Sequence, residues 1–263
     1  MVTKESMGSG KSPVRKDFRK EASPSEAVPV SEKFLIELFS SSEFLSLLAQ
    51  TRKKMEQHGG EFGFGIVKDL ESDSVYLTNI ATSIYIEDTD STPLNIAIDK
   101  LKLRLRKKAP NKKLIIVGGL HFHSDTDPDP IIIPSSMIPF SSESFEGDLR
   151  GAQTRREMNE KETKFNFPTI EMIAVMTADG EIKILVYQES FGHSPLALPN
   201  IRHEIGESFY PEDIHSQEEV LDLLIHYQYK VAIVRTVKGK FDEQALKTLA
   251  TFAFTPKKVE NKV

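Results

Sequence analysis

Large apolar side chains begin at Val30. Phe34, Leu35, Leu38, Phe39, Phe44, Leu45, Leu47 and Leu48 recur at roughly helical spacing. Ser41 or Ser42 suits the N-cap of a second helical segment, with Glu43 in its first turn. That segment is expected to run through Lys54 to about His58, where Gly59 and Gly60 stop it. Residues 61–67 predict a strand whose glycines imply close approach by another backbone or a ligand. Further strands are expected at 74–81 and 83–87, with a turn over 69–73. Over 93–108 the positions 94, 98, 101 and 105 form one apolar helical stripe, and Pro93 fits a first turn. The basic end of that helix (Arg104, Arg106, Lys107, Lys108) complements the helix dipole and reads as a solvated last turn.

Residues 113–118 are a short apolar run, the pattern of a buried central strand, leading into Gly119-Leu120-His121-Phe122-His123. Residues 124–166, rich in Ser, Asp and Pro, are expected to be mostly irregular; so long a loop is usually functional or disordered. Strands at 169–176 and 181–187 flank Ala178-Asp179-Gly180, predicting a hairpin. A polar connection over 190–216 leads to a helix at 217–228, with Ser216 as its N-cap. A strand at 230–237 and a helix at 242–252 complete the pattern. Strands and helices mix without strict alternation, which predicts an α+β fold: a central mixed β-sheet flanked by helices.

Residues 1–30 are polar and cannot bury enough surface to offset the entropy of ordering, so a disordered arm is expected. Gly8-Ser9-Gly10-Lys11-Ser12 looks like the end of a phosphate-binding loop. Glu5 stands where that motif needs glycine, and no strand or helix brackets it, so it reads as flexible tail.

The 263 residues carry 34 basic and 39 acidic side chains, a net charge of −5, which argues against a general nucleic-acid binder. Cysteine is absent, so no disulfide, catalytic thiol or thiolate metal site exists. No apolar run approaches the roughly 20 residues that cross a bilayer, and no signal-peptide core is visible. A cytoplasmic protein without membrane association is expected.

His121-Phe122-His123 is the most informative cluster. Residues i and i+2 of a strand share a face, so two imidazoles project together from its end. Paired imidazoles with a carboxylate suit zinc, which in catalytic sites takes three protein ligands and leaves one position open. Asp125, Asp127, Asp129 and Asp148 supply carboxylates downstream. The bland alternative is ordinary strand-end surface beside an acidic loop. Phe62 and Phe64 share a face and are expected in the core. Ile131-Ile132-Ile133 reads as an anchor under the domain, with an apolar partner-binding edge as the alternative. His58, His193, His203, His215 and His226 read as structural or solvated.

The chain resembles the JAMM/MPN family of zinc-dependent isopeptidases and deubiquitinase-like hydrolases. Glu61 opens Glu-Phe-Gly-Phe-Gly-Ile, similar to the family's acidic residue before a glycine-containing strand. Ile115-Ile-Val-Gly-Gly-Leu-His-Phe-His123 looks like its strand-to-HxH passage, and Ser144-Phe-Glu-Gly-Asp148-Leu149 like its Ser and Asp-Leu element. The likeness covers roughly residues 35–190. It implies a JAMM/MPN-like (cytidine-deaminase-like) catalytic domain over 31–190, followed by an α/β extension over 191–255 packed on the same domain and a tail at 256–263. His121, His123 and Asp148 would then hold Zn²⁺. Glu61 would be the base, and Ser144 would stabilise the oxyanion. The substrate would be a protein, its isopeptide or peptide bond near a ubiquitin-like C-terminus.

Three residues rather than two separate Ser144 from Asp148, and the loop after His123 is longer than the family's. Asp125 or Asp127 therefore stays open as the third ligand, and Ser141 or Ser142 as the serine. Two other functions stay open. One is an inactive MPN-type scaffold. The other is a PHP-type metal phosphoesterase, whose opening Leu120-His-Phe-His-Ser124 resembles and which would recruit further histidines.

Overall fold

The computed structural model describes residues 30–72, 74–82, 93–123, 127–134, 148–163, 165–189, 214–226, 228–255 and 257–258. The expected strand at 83–87, the N-terminal arm, most of the 190–216 connection, Asp125, Ser141, Ser142, Ser144, His193 and His203 lie outside the described residues.

Two helices open the fold, α1 (Glu32–Ser40) and α2 (Ser42–His58). Ser31 and Ser41 cap them, their hydroxyls accepting from the N–H groups of Phe34 and Phe44. The first strands are β1 (Phe62–Asp69), β2 (Val75–Leu77) and β3 (Ala81–Thr82). The single strand expected over 74–81 is thus two short ones, both pairing with β1. Helix α3 (Pro93–Lys108) and strand β4 (Leu114–Phe122) follow.

The largest correction falls in the expected loop over 124–166. Residues Asp148–Thr163 form a four-turn helix, α4. Its inward side is held largely by polar contacts from Arg155, Asn159 and Glu162, so it carries no apolar stripe.

The remaining elements are β5 (Phe165–Asn166), β6 (Ile170–Met176), β7 (Ile182–Glu189), α5 (Gln217–His226), β8 (Tyr229–Val237), β9 (Lys240–Phe241), α6 (Glu243–Ala250) and β10 (Lys257–Lys258). Ser216 and Glu219 close α5 with reciprocal side chain-to-backbone bonds, a capping box. The fold is α+β, with six helices among the described residues. An eight-stranded mixed sheet runs β2-β1-β4-β6-β7-β8-β9, with β3 also on β1. All its pairs are antiparallel except β4–β6. No described helix is long and apolar enough to cross a membrane.

One face of the sheet packs under α1, α2 and α6. Phe39, Phe44, Phe64 and Phe241 interlock there, with Phe44 5.1 Å from Phe39 and 5.4 Å from Phe64 in edge-to-face contacts. The other face lies under α3, α4 and α5. It carries two smaller apolar clusters, one around Ile173, Leu185 and Leu224 and one around Val67, Ile98 and Ile116. The isoleucine triplet joins the first of these: Ile132 is buried and its neighbours pack alongside, as an anchor would. Lys183 donates to Asp129 and to the Pro130 carbonyl, and the Gln217 amide brackets the backbone of Ile132.

A bulge in β4 decides which face receives the histidines. The register runs Ile66↔Gly118 and then Val67↔Ile116, leaving Val117 as the extra residue. Ile115 and Val117 itself face the phenylalanine side; after the bulge, Leu120 and Phe122 do. The parity therefore switches, and His121 and His123 turn toward α4. Without the extra residue both imidazoles would enter the phenylalanine core.

Candidate metal centre

Glu61, His121, His123 and Asp148 come from three places in the chain. Phe62 lies opposite Phe122 and Gly63 opposite His121, so continuing the antiparallel register sets Glu61 opposite His123. Gly63 permits that closeness: a Cβ there would sit 2.3 Å from the Leu120 carbonyl oxygen and 2.7 Å from the His121 Cβ. Gly63 thus serves close backbone approach, as expected, whereas Gly65 makes room for the Ile98 side chain of α3. The His123 N–H donates to the Ala174 carbonyl, extending the β4–β6 pairing one residue past the strand.

Asp148 is the first residue of α4. Its Oδ1 lies 3.0 Å from His121 Nε2 and its Oδ2 3.4 Å from His123 Nε2. The two Nε2 atoms are 3.1 Å apart. An ion held tetrahedrally at about 2.0–2.1 Å keeps its ligand atoms about 3.3–3.4 Å apart; the two imidazole nitrogens, 3.1 Å apart, come near that spacing, and each faces one oxygen of Asp148. The donors are two imidazoles and a carboxylate, nitrogen and oxygen ligands that a cysteine-free zinc site uses. Glu61 Oε1 stands farther out, 3.8 Å from His123 Nε2. Glu61, His121 and His123 each present a donor atom within 4.8 Å of the others, and this group could hold a metal ion.

The side chains of His121 and Asp148 are about nine-tenths buried, whereas that of Glu61 is 36% exposed. Burial alone would lower the His121 pKa, but the Asp148 carboxylate beside it outweighs burial and raises it. Burial likewise pushes Asp148 up. The charge and hydrogen bond of His121, aided by His123, hold it well below the usual carboxylate range. The carboxylate is therefore kept ionised, the form that binds metal.

Asp148 is placed by polar contacts along α4. Arg155, two turns on, is buried and donates from Nε and Nη2 to the two oxygens of Glu171 on β6, at 2.8 and 2.7 Å. Its Nη1 donates to Asn95 Oδ1 on α3 at 2.9 Å. One turn farther, Asn159 accepts from the Ile116 N–H at 2.7 Å and donates to the Ile116 carbonyl at 2.8 Å. β6 begins opposite Gly118, so Asn159 supplies the partner that a neighbouring strand would otherwise give Ile116. Glu162 then binds Lys102 and Arg106 of α3, each at 2.6 Å.

No protein-family model matches the chain, and no curated protein matches it.

Three of the expected site residues, Glu61, His121 and His123, are gathered with Asp148, the first of the proposed carboxylate ligands. Ser144 and its alternatives Ser141 and Ser142 lie outside the described residues, as does Asp125. Asp127 is exposed, and Asp129 is taken by Lys183 at 3.1 Å. His58 ends α2, the His215 N–H donates to Glu219, and His226 ends α5. Sequence reasoning missed Arg155, Glu171 and Asn95. The signal available was the 148, 152, 155, 159 spacing, one helical face made largely of polar residues.

Proposed function

We propose that the chain is a zinc-dependent hydrolase of the JAMM/MPN type, cleaving an isopeptide or peptide bond, with a ubiquitin-like C-terminus as the substrate class. The observation that carries this reading is the gathering of His121 Nε2 and His123 Nε2, 3.1 Å apart, against Asp148, whose Oδ1 lies 3.0 Å from the first and Oδ2 3.4 Å from the second, with Glu61 beside them. Zinc, when bound, acts as a Lewis acid that activates water and polarises the scissile carbonyl. His121, His123 and Asp148 would hold it. Glu61, partly exposed, would accept the proton of the attacking water at Oε1 and return it to the leaving amine. Buried Asp148 cannot take that role, because both its oxygens already face imidazoles.

The test is cleavage of isopeptide-linked ubiquitin-like dimers by the zinc-loaded chain. Cleavage that disappears in Glu61→Gln while zinc is retained is the expected result. Zinc binding without cleavage would favour the scaffold. Two or three metals per chain, with hydrolysis of phosphate esters, would favour the phosphoesterase.

A further inference from the structure

Beside the metal centre, β3 and α3 enclose a groove of about 540 Å³, lined by Ile80, Thr82, Ile96, Leu101, Lys100 and Arg104 among others. That volume lies within the usual range of ligand clefts. The groove adjoins the site through Thr82. Thr82 pairs with Phe62, and its hydroxyl donates to the Glu61 carbonyl at 3.1 Å.

Its charge is one-sided. Lys102 and Arg106, on the α4 side of α3, are both neutralised by Glu162. Lys100 and Arg104, which line the groove, have no carboxylate partner among the described residues and are exposed. Among the described residues that line the groove there is no carboxylate. The two cations are four residues apart, about 6 Å along the helix axis. In an extended chain, side chains on the same face repeat every two residues, at about 6.6 Å. Carboxylates at alternate positions of an extended peptide therefore match Lys100 and Arg104 one to one, over a floor of Ile80 and Ile96.

We infer that this groove receives an extended acidic segment of the protein substrate, with carboxylates at alternate positions, leading to the scissile bond at Glu61 and the histidine pair. The inference rests on the hydrolase reading for its orientation, but binding tests it separately. The probe is a fluorescein-labelled octapeptide with glutamates at alternate positions, joined through its C-terminus to a lysine ε-amine. Glutamine and lysine counterparts and a uridine decamer serve as comparisons. Anisotropy titrations use the full chain with and without EDTA, and hydrolysis is followed in parallel on zinc-loaded protein.

The glutamate peptide is expected to bind at least about tenfold tighter than the glutamine peptide, with or without EDTA. K100E/R104E, checked for an unchanged melting curve, is expected to remove that preference, and added salt to weaken it. Equal binding of the three peptides would overturn the inference. So would a preference that survives K100E/R104E, or tighter binding of the uridine decamer. Acid-selective binding without hydrolysis would leave the groove standing and count against the hydrolase; hydrolysis without acid preference would do the reverse.

Discussion

On one face of the sheet, Phe39, Phe44, Phe64 and Phe241 interlock without a hydrogen bond between their side chains. On the other, at comparable depth, Arg155, Glu171, Asn95 and Asn159 are buried through hydrogen bonds with defined directions. Apolar contact is non-directional and tolerates small slides of a helix over a sheet. A bidentate guanidinium–carboxylate pair does not, because it fixes both distance and plane. The face that needs only stability is greasy. The face that must hold Asp148 against two imidazoles uses the costlier, more exact contacts. Metal sites need their donors held within roughly 0.5 Å, and the proposed metal site would account for the polar choice.

The contrast can be broken from either side. Phe44→Ala removes the centre of the aromatic cluster and should cost about 3–5 kcal/mol in urea denaturation. The zinc stoichiometry of its folded fraction should stay unchanged. Arg155→Met leaves Glu171 buried without its guanidinium and should cost a similar amount, about 3–5 kcal/mol. The sharper comparison is the double variant Arg155→Met/Glu171→Leu. Replacing both charges should recover most of the stability, while zinc affinity, read by competition with a chelating dye, stays reduced by about tenfold or more. If affinity returns with stability, the pair is merely structural and the contrast between the faces fails.

Asn159→Ala should cost less, about 2–3 kcal/mol, by stranding the buried N–H and C=O of Ile116. Hydrogen exchange at the Ile116 amide should accelerate locally. The smallest effect concerns pH at the end of β1, away from the site. Burial pushes the Asp69 carboxyl up, but the Lys112 ammonium, the Glu71 N–H and the Ser72 hydroxyl more than offset it and hold it low. Its contribution to stability is therefore fully present above the unfolded-chain value of about 3.9 and is lost as pH falls through the lower folded value. Lys112→Met should flatten that acid limb in melting curves between about pH 5 and 2; an unchanged limb would remove Asp69 as its source.

The same contrast explains what could be read from the sequence. The phenylalanine-side helices show apolar periodicity and serine caps. Their limits were legible to within a residue or two, as were the 170–176 and 182–189 hairpin strands, because each buries apolar residues at regular spacing. The histidine pair was legible because strand alternation places i and i+2 together. α4 was not: of its fully buried residues only Leu149 and Ala152 are apolar, and Arg155 and Asn159 look like solvent-facing residues until their partners are known. Strong helix formers such as Gln153, Arg156, Glu157, Met158 and Glu160 were the available clue. The bulge at Val117 was also hidden, since a continuous apolar run has no alternation for an extra residue to interrupt.

The central claim is that His121, His123 and Asp148 hold one zinc ion. Elemental analysis of the chain purified without chelator, beside His121→Ala/His123→Ala, tests it most directly. About one zinc per chain is expected, absent from the double variant. A chain that takes up no metal even after zinc is added would contradict it.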